Sequence, residues 1–403
     1  MAPEPVTALL DRWIRLLCAG GHRVSGSLEC RAAAAEIRKS MEAAGLATEA
    51  EEFDFRASHP HGLVLHFSLL VASALLTLAG HPTPALGLSL LVLVSVYGSE
   101  TGRYDLFNLL LARRRGANIV GRWNPSGARR LVVLAHHDGT RQARVFEPGR
   151  ARKFAQATKN WPLFLRAPFF LLNLGVAAVV LSALARHWVA GPAVAVPALY
   201  GAASLSFGIL IMADWARGAP IPAAGDNASA VAAMMAVAGG LRERCPKDLE
   251  VWCVATDAEE LGLKGAAAFC KRHAGGLRDK PTIFVNLESL GSGRLCRLAR
   301  EAGYLIPGAV PYPPIAGELV EAAARRLGRR PLPVEDAPAG TDGQVLIRFG
   351  LRGVSLLGLL EIGYVENYHW PTDTPDNVDL KVAAEAVEWT WAIAASWAGD
   401  KYA

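Results

Sequence analysis

The chain has 403 residues, of which 52% are hydrophobic and only 20% are charged, and its formal net charge at pH 7 is +5. This length allows one large domain or two of ordinary size. The hydrophobic share and the mean hydropathy of +0.22 exceed what a soluble enzyme usually needs. Basic residues lie beside apolar segments and no aromatic-plus-basic motif is present, so the charge indicates a membrane surface and no nucleic acid.

The first sixty residues predict an α/β opening. Apolar spacing predicts a helix over Pro5–Cys18, and a second helix follows from the N-cap Ser27 to Gly45. Thr48–Phe55 alternates as a strand does. The six cysteines form no CxxC pair, which favours buried, reduced thiols. The N-terminus lacks the apolar core of a signal peptide.

Four apolar segments then interrupt this pattern. Leu63–Ala79, whose one ionisable group is His66, is followed by Ala85–Tyr97. A bilayer needs about 20 apolar residues, so this pair predicts a transmembrane hairpin, a re-entrant hairpin or a hydrophobic surface arm. Ala167–Ala185 and Val189–Ala213 form a clearer second pair. The alternative for this second pair is a buried helical pair in a large soluble core.

The flanks of these segments predict how the chain sits in a membrane. Trp161, Trp188 and Trp215 stand at segment ends, as interfacial anchors do. Arginines and lysines crowd the side that faces the rest of the chain, whereas the opposite side has little charge beyond Arg186. We therefore expect a multi-pass membrane protein whose catalytic domain faces the cytoplasm.

After the first hairpin, short buried strands alternate with helices. The strands are predicted at Leu131–Ala135, Leu249–Ala255, Thr282–Leu287 and Gly353–Leu360. The helices are predicted at Asn227–Arg242, Gly265–His273, Ile315–Leu327 and Leu380–Trp397. This alternation predicts an α/β fold with a doubly wound, mostly parallel sheet that carries two inserted helical membrane hairpins.

The predicted division of the chain follows from these segments. The catalytic domain takes residues 1–60, 104–160 and 214–403, and the two membrane hairpins take residues 61–103 and 161–213.

Histidines and carboxylates follow the ends of the predicted strands, and one carboxylate immediately precedes a predicted helix. They are His136, Asp138, Asp226, Glu259, Glu260, Glu288 and His369. Sites in open α/β sheets form outside the carboxyl ends of the strands, so these side chains should meet in one crevice. Imidazole and carboxylate suit zinc or a similar divalent ion. Two ions about 3.5–4 Å apart would share a bridging carboxylate.

Five segments in this order resemble the motif blocks of the M28 family of di-zinc peptidases, which includes aminopeptidases and carboxypeptidases. They are LAHHDGT, GDNASAVA, TDAEELGLKG, VNLESLG and YHWPTDTPDN. Arg23–Phe55 also resembles the family's opening helix and strand. The resemblance covers the chain except the two hairpins, which are inserted at loop positions of the family.

The resemblance implies two zinc ions per chain and a role for each residue of the constellation. His136 and Glu288 would complete the first metal site, and Glu260 and His369 the second. Asp226 would bridge both ions.

The remaining residues of the blocks have supporting roles in the family. Asp138 would orient the His136 imidazole, and Glu259 would be the general base that takes a proton from the attacking water. The peptide bond from Asp226 to Asn227 would be cis. His137 is a neighbour of the site and not a ligand.

The chain departs from the family pattern at three places. Position 288 is Glu where many members have Asp, and position 230 is Ala where Gly is usual. A Thr-Asp-His block reads Thr341-Asp342-Gly343 here.

Substrate contacts are expected from Asp257, Tyr364 and Tyr368.

The sequence therefore predicts a membrane-bound, zinc-dependent peptidase of the aminopeptidase type, with a peptide substrate and the lipid bilayer as partners. Three alternatives stay open. The first is an amidohydrolase that acts on a lipopeptide or an acylated amino acid, and the second is a glutaminyl-cyclase-like acyltransferase with one zinc. The third is a non-catalytic membrane scaffold. The sequence contains no feature from which an oligomeric state can be predicted.

Overall fold

A computed structural model describes residues 5–166, 170–303 and 309–399. These residues include a nine-stranded sheet. Its strands are β1 (Ala47–Phe55), β2 (Arg114–Trp123), β3 (Arg129–His136), β4 (Leu249–Thr256), β5 (Thr282–Glu288), β6 (Arg294–Ala302), β7 (Ala309–Pro311), β8 (Val334–Ala337) and β9 (Arg352–Leu359).

Every predicted helical segment contains an α-helix, but the predicted Asn227–Arg242 helix is divided in two, and the helices at Pro148–Thr158, Leu163–Arg166 and Asp342–Arg348 were not predicted. The α-helices within the described residues are fourteen in number. They are α1 (Val6–Cys18), α2 (Leu28–Ala43), α3 (His61–Leu78), α4 (Pro82–Glu100), α5 (Pro148–Thr158), α6 (Leu163–Arg166), α7 (Phe170–Ala185), α8 (Pro192–Arg217), α9 (Ser229–Gly239), α10 (Leu241–Arg244), α11 (Lys264–His273), α12 (Ile315–Leu327), α13 (Asp342–Arg348) and α14 (Leu380–Trp397). Ser27 caps α2 as predicted, because its side chain accepts a hydrogen bond from the backbone N–H of Cys30. The first three residues of the predicted Ala167–Ala185 segment lie outside the described residues.

The sheet is parallel in its centre and antiparallel towards its edges. Its order is β1-β2-β4-β3-β5-β9-β6-β7, with β8 paired to β6. β4, β3, β5 and β9 run parallel, and β1, β2, β6 and β7 join through antiparallel pairs. The sequence missed β2 and β6–β8, because β2 begins with arginines and contains two glycines, and none of these strands has an unbroken apolar run.

Helices cover both faces of the sheet. α1, α2, α9, α12 and α14 form one layer, whereas α11 and α13 pack on the opposite face. Every residue of β3, β4 and β5 is buried, as expected for strands that are covered on both sides. The structure therefore has the predicted doubly wound architecture, and the carboxyl ends of β3, β4 and β5 open on the same edge.

The two predicted hairpins form one four-helix bundle outside this core. α3 packs along α8, and α4 and α7 flank them. Phe67, Val179 and Leu205 belong to an apolar cluster that is separate from the core of the sheet. A Cβ on Gly80 would lie 3.6 Å from Nη2 of Arg186, so the loops of both hairpins meet at the far end. The bundle thus differs from a helical pair buried in a soluble core.

Three of these helices, α3, α4 and α8, are long and apolar enough to cross a membrane by length and composition, and α7 is shorter. One predicted anchor is corrected. Trp188 and Trp161 are exposed, but Trp215 is only 2% exposed because α8 continues past the predicted end and packs on the α/β domain.

Candidate metal centre

His136 is the last residue of β3, and its imidazole is buried at the carboxyl edge of the sheet. Nδ1 lies 3.5 Å from Oδ1 of Asp138 and 3.2 Å from the Asp138 carbonyl oxygen. This contact directs Nε2 towards Asp226 and Glu288, each of which has a carboxylate oxygen 3.3 Å away. Asp138 is therefore placed to orient the ring.

Asp226 lies between the two histidines. Its Oδ1 is 3.3 Å from Nε2 of His136, and its Oδ2 is 3.3 Å from Nε2 of His369. The Asp226–Asn227 peptide bond is cis, in agreement with the prediction. The carboxylate thus presents one oxygen to each side, which is the arrangement that a bridging ligand requires.

Two buried groups of potential ligands share this carboxylate. One consists of His136, Asp226 and Glu288, and the other of Asp226, Glu260 and His369. Oε2 of Glu260 lies 3.1 Å from Nε2 of His369. The longer side chain of Glu288, compared with aspartate, still reaches His136. All five predicted ligands therefore converge.

The turn after β4 separates Glu259 from Glu260. Ala258 has a φ of 58°, and the carboxylate of Asp138 accepts the backbone N–H groups of Glu259 (3.1 Å) and Glu260 (3.3 Å). Glu260 points to His369, whereas Oε2 of Glu259 lies 4.0 Å from Nε2 of His136 and its side chain is 13% exposed. The two neighbours therefore face different parts of the site, and Glu259 borders the open space.

The electrostatics of this cluster indicate an excess of negative charge. Burial raises the pKa of the carboxyl groups of Glu259, Glu260 and Glu288. Burial alone would lower the pKa of His136, but the carboxylates of Glu288 and Glu259 outweigh it and raise that pKa well above its usual value. Buried carboxylates in this number need cations to offset their repulsion.

The donor set fits divalent metal ions. Oε1 of Glu260 and Oε2 of Glu288 are buried and have no hydrogen-bond partner among the residues that the structure describes. An unpaired buried carboxylate oxygen is costly, and a metal ion at this position would satisfy it. Imidazole nitrogen and carboxylate oxygen are ligands that zinc accepts.

Three further residues, to which the sequence reading gave no role, support the centre. Asp373 accepts the backbone N–H groups of Gly225 (2.6 Å) and Asp226 (3.1 Å) and so fixes the backbone that carries the Asp226 side chain. Ser289 donates its hydroxyl to Asp226 or Glu288, each 3.2 Å away. Asp373 lies in the last motif block, YHWPTDTPDN, so its position in that block could have identified it from the sequence.

Arg23 is the third such residue, and it is fully buried. Its guanidinium donates to the carbonyl oxygens of His137 (3.0 Å), Pro222 (2.8 Å) and Ala223 (2.8 Å). It therefore ties the loop after β3 to the segment before Asp226. An arginine near the N-terminus carries no sequence signal for such a contact.

The predicted substrate residues have different positions. Asp257 does not line the cavity beside the metal centre: it is buried near Cys30 and His137 and accepts the backbone N–H groups of Ala117 (3.0 Å) and Ala258 (2.7 Å). We therefore do not retain it as a substrate contact. Tyr364 and Tyr368 both line the cavity.

Packing around position 343 explains why the Thr341-Asp342-Gly343 block has glycine in place of the histidine of the family. A Cβ on Gly343 would lie 2.3 Å from Oγ of Ser355 and 2.5 Å from the hydroxyl of Tyr312, so this chain has no room there for a histidine. Asp342 is buried and accepts a hydrogen bond from Thr256 (2.5 Å). Thr341 remains on the wall of the cavity.

The helical bundle reaches the centre directly. The ring of Trp215, at the end of α8, lies 5.4 Å from the ring of His369, and that of Phe146 lies 4.7 Å from it. Tyr368 stacks on the same imidazole at 3.7 Å. Helix α8 and the imidazole of His369 therefore belong to one packed unit.

Comparisons with solved structures identify the fold. The chain is similar to a Zn-dependent exopeptidase from Parabacteroides distasonis, at 13% identity over 98% of this chain and 99% of that chain, with a TM-score of 0.55. It is also similar to an aminopeptidase from Aneurinibacillus sp. strain AM-1, at 14% identity over 97% and 93%, with a TM-score of 0.57.

Glutaminyl cyclases share this fold. The enzyme of Bacteroides thetaiotaomicron is 13% identical over 96% of each chain, with a TM-score of 0.56. The search of curated proteins found no match. Residues 201–394 match the model of Peptidase family M28. The chain therefore has the fold seen in zinc-dependent exopeptidases, and its residues 201–394 are similar to Peptidase family M28.

Proposed function

We propose that this protein is a membrane-bound peptidase that holds two zinc ions and hydrolyses peptide-type amide bonds. The observation that carries the proposal is the pair of His–carboxylate groups that share Asp226, with Glu259 beside them on the open side. When bound, zinc polarises a carbonyl group and makes water a nucleophile at neutral pH. The similarity to the aminopeptidase from Aneurinibacillus favours cleavage at the amino end of the substrate.

The protein's own residues would divide the remaining work. Glu259 accepts a proton from the attacking water and returns it to the departing amine nitrogen. Asp138 fixes the His136 ring, and Asp373 and Ser289 fix the Asp226 carboxylate. Tyr364 and Tyr368 border the space that the substrate enters.

The test is digestion of a peptide library by detergent-purified, zinc-loaded protein, with and without a chelator. We expect single residues to be released from the amino end, activity to disappear with the chelator, and zinc to restore it. Glu259→Gln should keep its zinc, measured by elemental analysis, and lose about 10²–10⁴-fold in kcat. Unchanged turnover by this variant would remove Glu259 from the mechanism.

The same assay separates the alternatives. A glutaminyl-cyclase-like enzyme would release ammonia from peptides that begin with glutamine without consuming water. A non-catalytic scaffold would bind less than about one zinc per chain. The two ligand groups around Asp226 support the di-zinc hydrolase over both.

We also propose that the bundle spans the membrane and that the catalytic domain faces the cytoplasm. Leu181, Leu199 and Leu210 are between 56% and 67% exposed on the outside of the bundle. These leucines lie on apolar helices, of which α8 is long enough to cross a bilayer, and this supports burial in lipid. A reporter fused after Ala403 should be active only in the cytoplasm, and activity on the other side would reverse the orientation.

A further inference from the structure

The cavity beside the metal centre continues to the bundle. It has a volume of about 740 Å³, and Asp226, Glu259 and Glu288 line its inner part. Phe207 and Leu210 of α8 line another part of the same cavity. The space next to the reacting groups is therefore continuous with the surface of a helix that is apolar enough to cross a membrane.

Phe207 and Leu210 face outwards, and their position along α8 gives their depth in a bilayer. Phe207 is 62% exposed and Leu210 is 67% exposed, although both belong to α8. Phe207 lies fifteen residues after Pro192, which is roughly 22 Å along the helix axis, within a hydrocarbon layer of about 30 Å. In a membrane, this wall of the cavity would contact lipid chains near the side of the catalytic domain.

A second wall comes from α5. Ala151, Phe154 and Ala155 line the cavity, and Phe154 is 43% exposed. Phe154 and Phe207 thus present two aromatic rings to the same space. An apolar groove of this kind suits a flexible hydrocarbon chain better than a polar peptide backbone, whose N–H and C=O groups would lack partners there.

The charges of the cavity favour an anion. Outside the metal cluster, the charged residues that line it are Arg144, Arg150, Arg166 and Asp214. Asp214 accepts the backbone N–H of Arg144 (2.8 Å) and its side chain lies 3.7 Å from that guanidinium. The ion pair of Arg150 with Glu147 is exposed and 3.9 Å long, so it offsets little charge.

This charge bears on the amino end of the substrate. Arg166 has no hydrogen bond or ion pair with the residues that the structure describes. A free ammonium group would meet Arg150 and Arg166, and Asp214, the carboxylate that lines the cavity outside the metal cluster, already pairs with Arg144. An acylated nitrogen carries no such charge.

We propose that the substrate is an N-acyl amino acid or a short N-acyl peptide that enters from the bilayer along α8. This inference rests on the proposed metal-dependent hydrolysis and narrows it to an acylated amino end. The acyl chain would lie between Phe154 and Phe207, and the carboxylate of the amino acid would face Arg150 and Arg166. Water adds across the acyl C–N bond, so one fatty carboxylate and one zwitterionic amino acid are formed.

The first experiment compares three substrates with zinc-loaded protein in liposomes: N-palmitoyl-leucine, N-acetyl-leucine and the dipeptide Leu-Leu. Release of leucine is measured. We expect kcat/KM for the palmitoyl substrate to exceed that of the other two by on the order of 100-fold, because many methylene groups leave water. Faster cleavage of Leu-Leu would overturn this inference and leave the proposed function intact. Cleavage of none would overturn both.

Matched variants separate binding in the cavity from simple partition into lipid. Phe207→Ser should lower kcat/KM for N-palmitoyl-leucine about tenfold, and Phe207→Leu should restore most of it. Leu181→Ser, on α7, changes a residue that is equally exposed at 62% but does not line the cavity, and it should have no effect. Equal effects of the two serine variants would overturn the inference.

The carboxylate contact has its own test, which does not depend on the folding of α8. Wild-type protein should hydrolyse N-palmitoyl-leucine with a KM about tenfold lower than that of the uncharged N-palmitoyl-leucinamide. Arg166→Gln should remove this difference while the amide substrate keeps its KM. The same difference in both proteins would exclude Arg166 from recognition of the head group.

Discussion

The α/β domain and the four-helix bundle distribute polar groups in opposite ways. In the sheet, the strands β3, β4 and β5 bury every residue, and polar side chains follow at their ends. In the bundle, hydroxyl groups lie inside: Ser73 and Ser89 share a hydrogen bond of 2.6 Å, and Nε2 of His66 lies 2.8 Å from Oγ of Ser95. Many leucines of the same helices are exposed on the outside, among them Leu91, Leu181 and Leu210, although others pack inside the bundle.

This inversion supports the proposal that the two regions fold against different solvents. A domain in water gains stability when it buries apolar side chains. Between lipid chains that gain disappears, and close packing with internal hydrogen bonds holds helices together. Gly201 is an example: a Cβ there would lie 2.8 Å from the carbonyl oxygen of Gly175, so α7 and α8 touch at their backbones.

The largest expected effect lies at the polar edge of the sheet. Asp226→Asn keeps the shape of the side chain but removes the charge that both ligand groups share. We expect zinc content to fall from about two to below one ion per chain, and activity to fall by more than about 100-fold. Elemental analysis and the library assay measure the two effects. Ser396→Ala, far from the site on α14, is the control, and a variant with full zinc would show that Asp226 does not bridge.

A second prediction concerns a charge that the α/β domain buries. Glu301 of β6 is buried, and burial raises the pKa of its carboxyl group to about 7. The folded protein therefore holds this proton more tightly than the unfolded chain, where the pKa is about 4.3. The free energy of unfolding should fall as the pH rises from about 4.3 to 7, by up to about 3 kcal/mol.

Glu301→Gln should flatten this slope, because glutamine does not titrate. Chemical denaturation of zinc-loaded protein at a series of pH values gives the free energy. If wild type and variant show the same slope, Glu301 is ionised in the folded state and the expected pKa is wrong.

A third prediction tests the outer surface of the bundle. Leu199→Arg places a charge on the exposed side of α8, at a position that is 56% exposed. In a bilayer this should cost about 2.5–3.5 kcal/mol at the centre of the span and reduce the amount of protein in the membrane fraction. Leu28→Arg, at a 73% exposed position of α2, should be neutral. Equal tolerance of both changes would mean that the bundle is in water.

The smallest expected effect lies inside the bundle. Ser73 donates to the carbonyl oxygen of Ala85 at 2.8 Å and shares a hydrogen bond with Ser89. Ser73→Ala should destabilise the protein in detergent by about 0.6–1.7 kcal/mol. Ser68→Ala, on the exposed side of α3, should have less effect. Thermal unfolding compares the two, and a larger loss for Ser68 would contradict the internal role of the hydroxyls.

The amino-acid sequence by itself determined the elements with strong periodicity and the chemistry of the site. The predicted α12 and α14 have the bounds that the structure shows, because their apolar spacing is regular and each begins and ends at turn residues. The seven candidate site residues could be proposed because each stands next to a strand or helix end, a place that the chain order alone reveals.

The tertiary structure decided what depends on contacts between distant segments. β2 and β6–β8 are stabilised by neighbouring strands and have weak patterns of their own. Arg23 and Trp215 act on the centre across long sequence separations, and Asp257 faces the core because its loop turns inwards. The sequence separated two hairpins, but only packing joins them into one bundle and sets α8 beside His369, because side-chain complementarity between helices leaves no local signal.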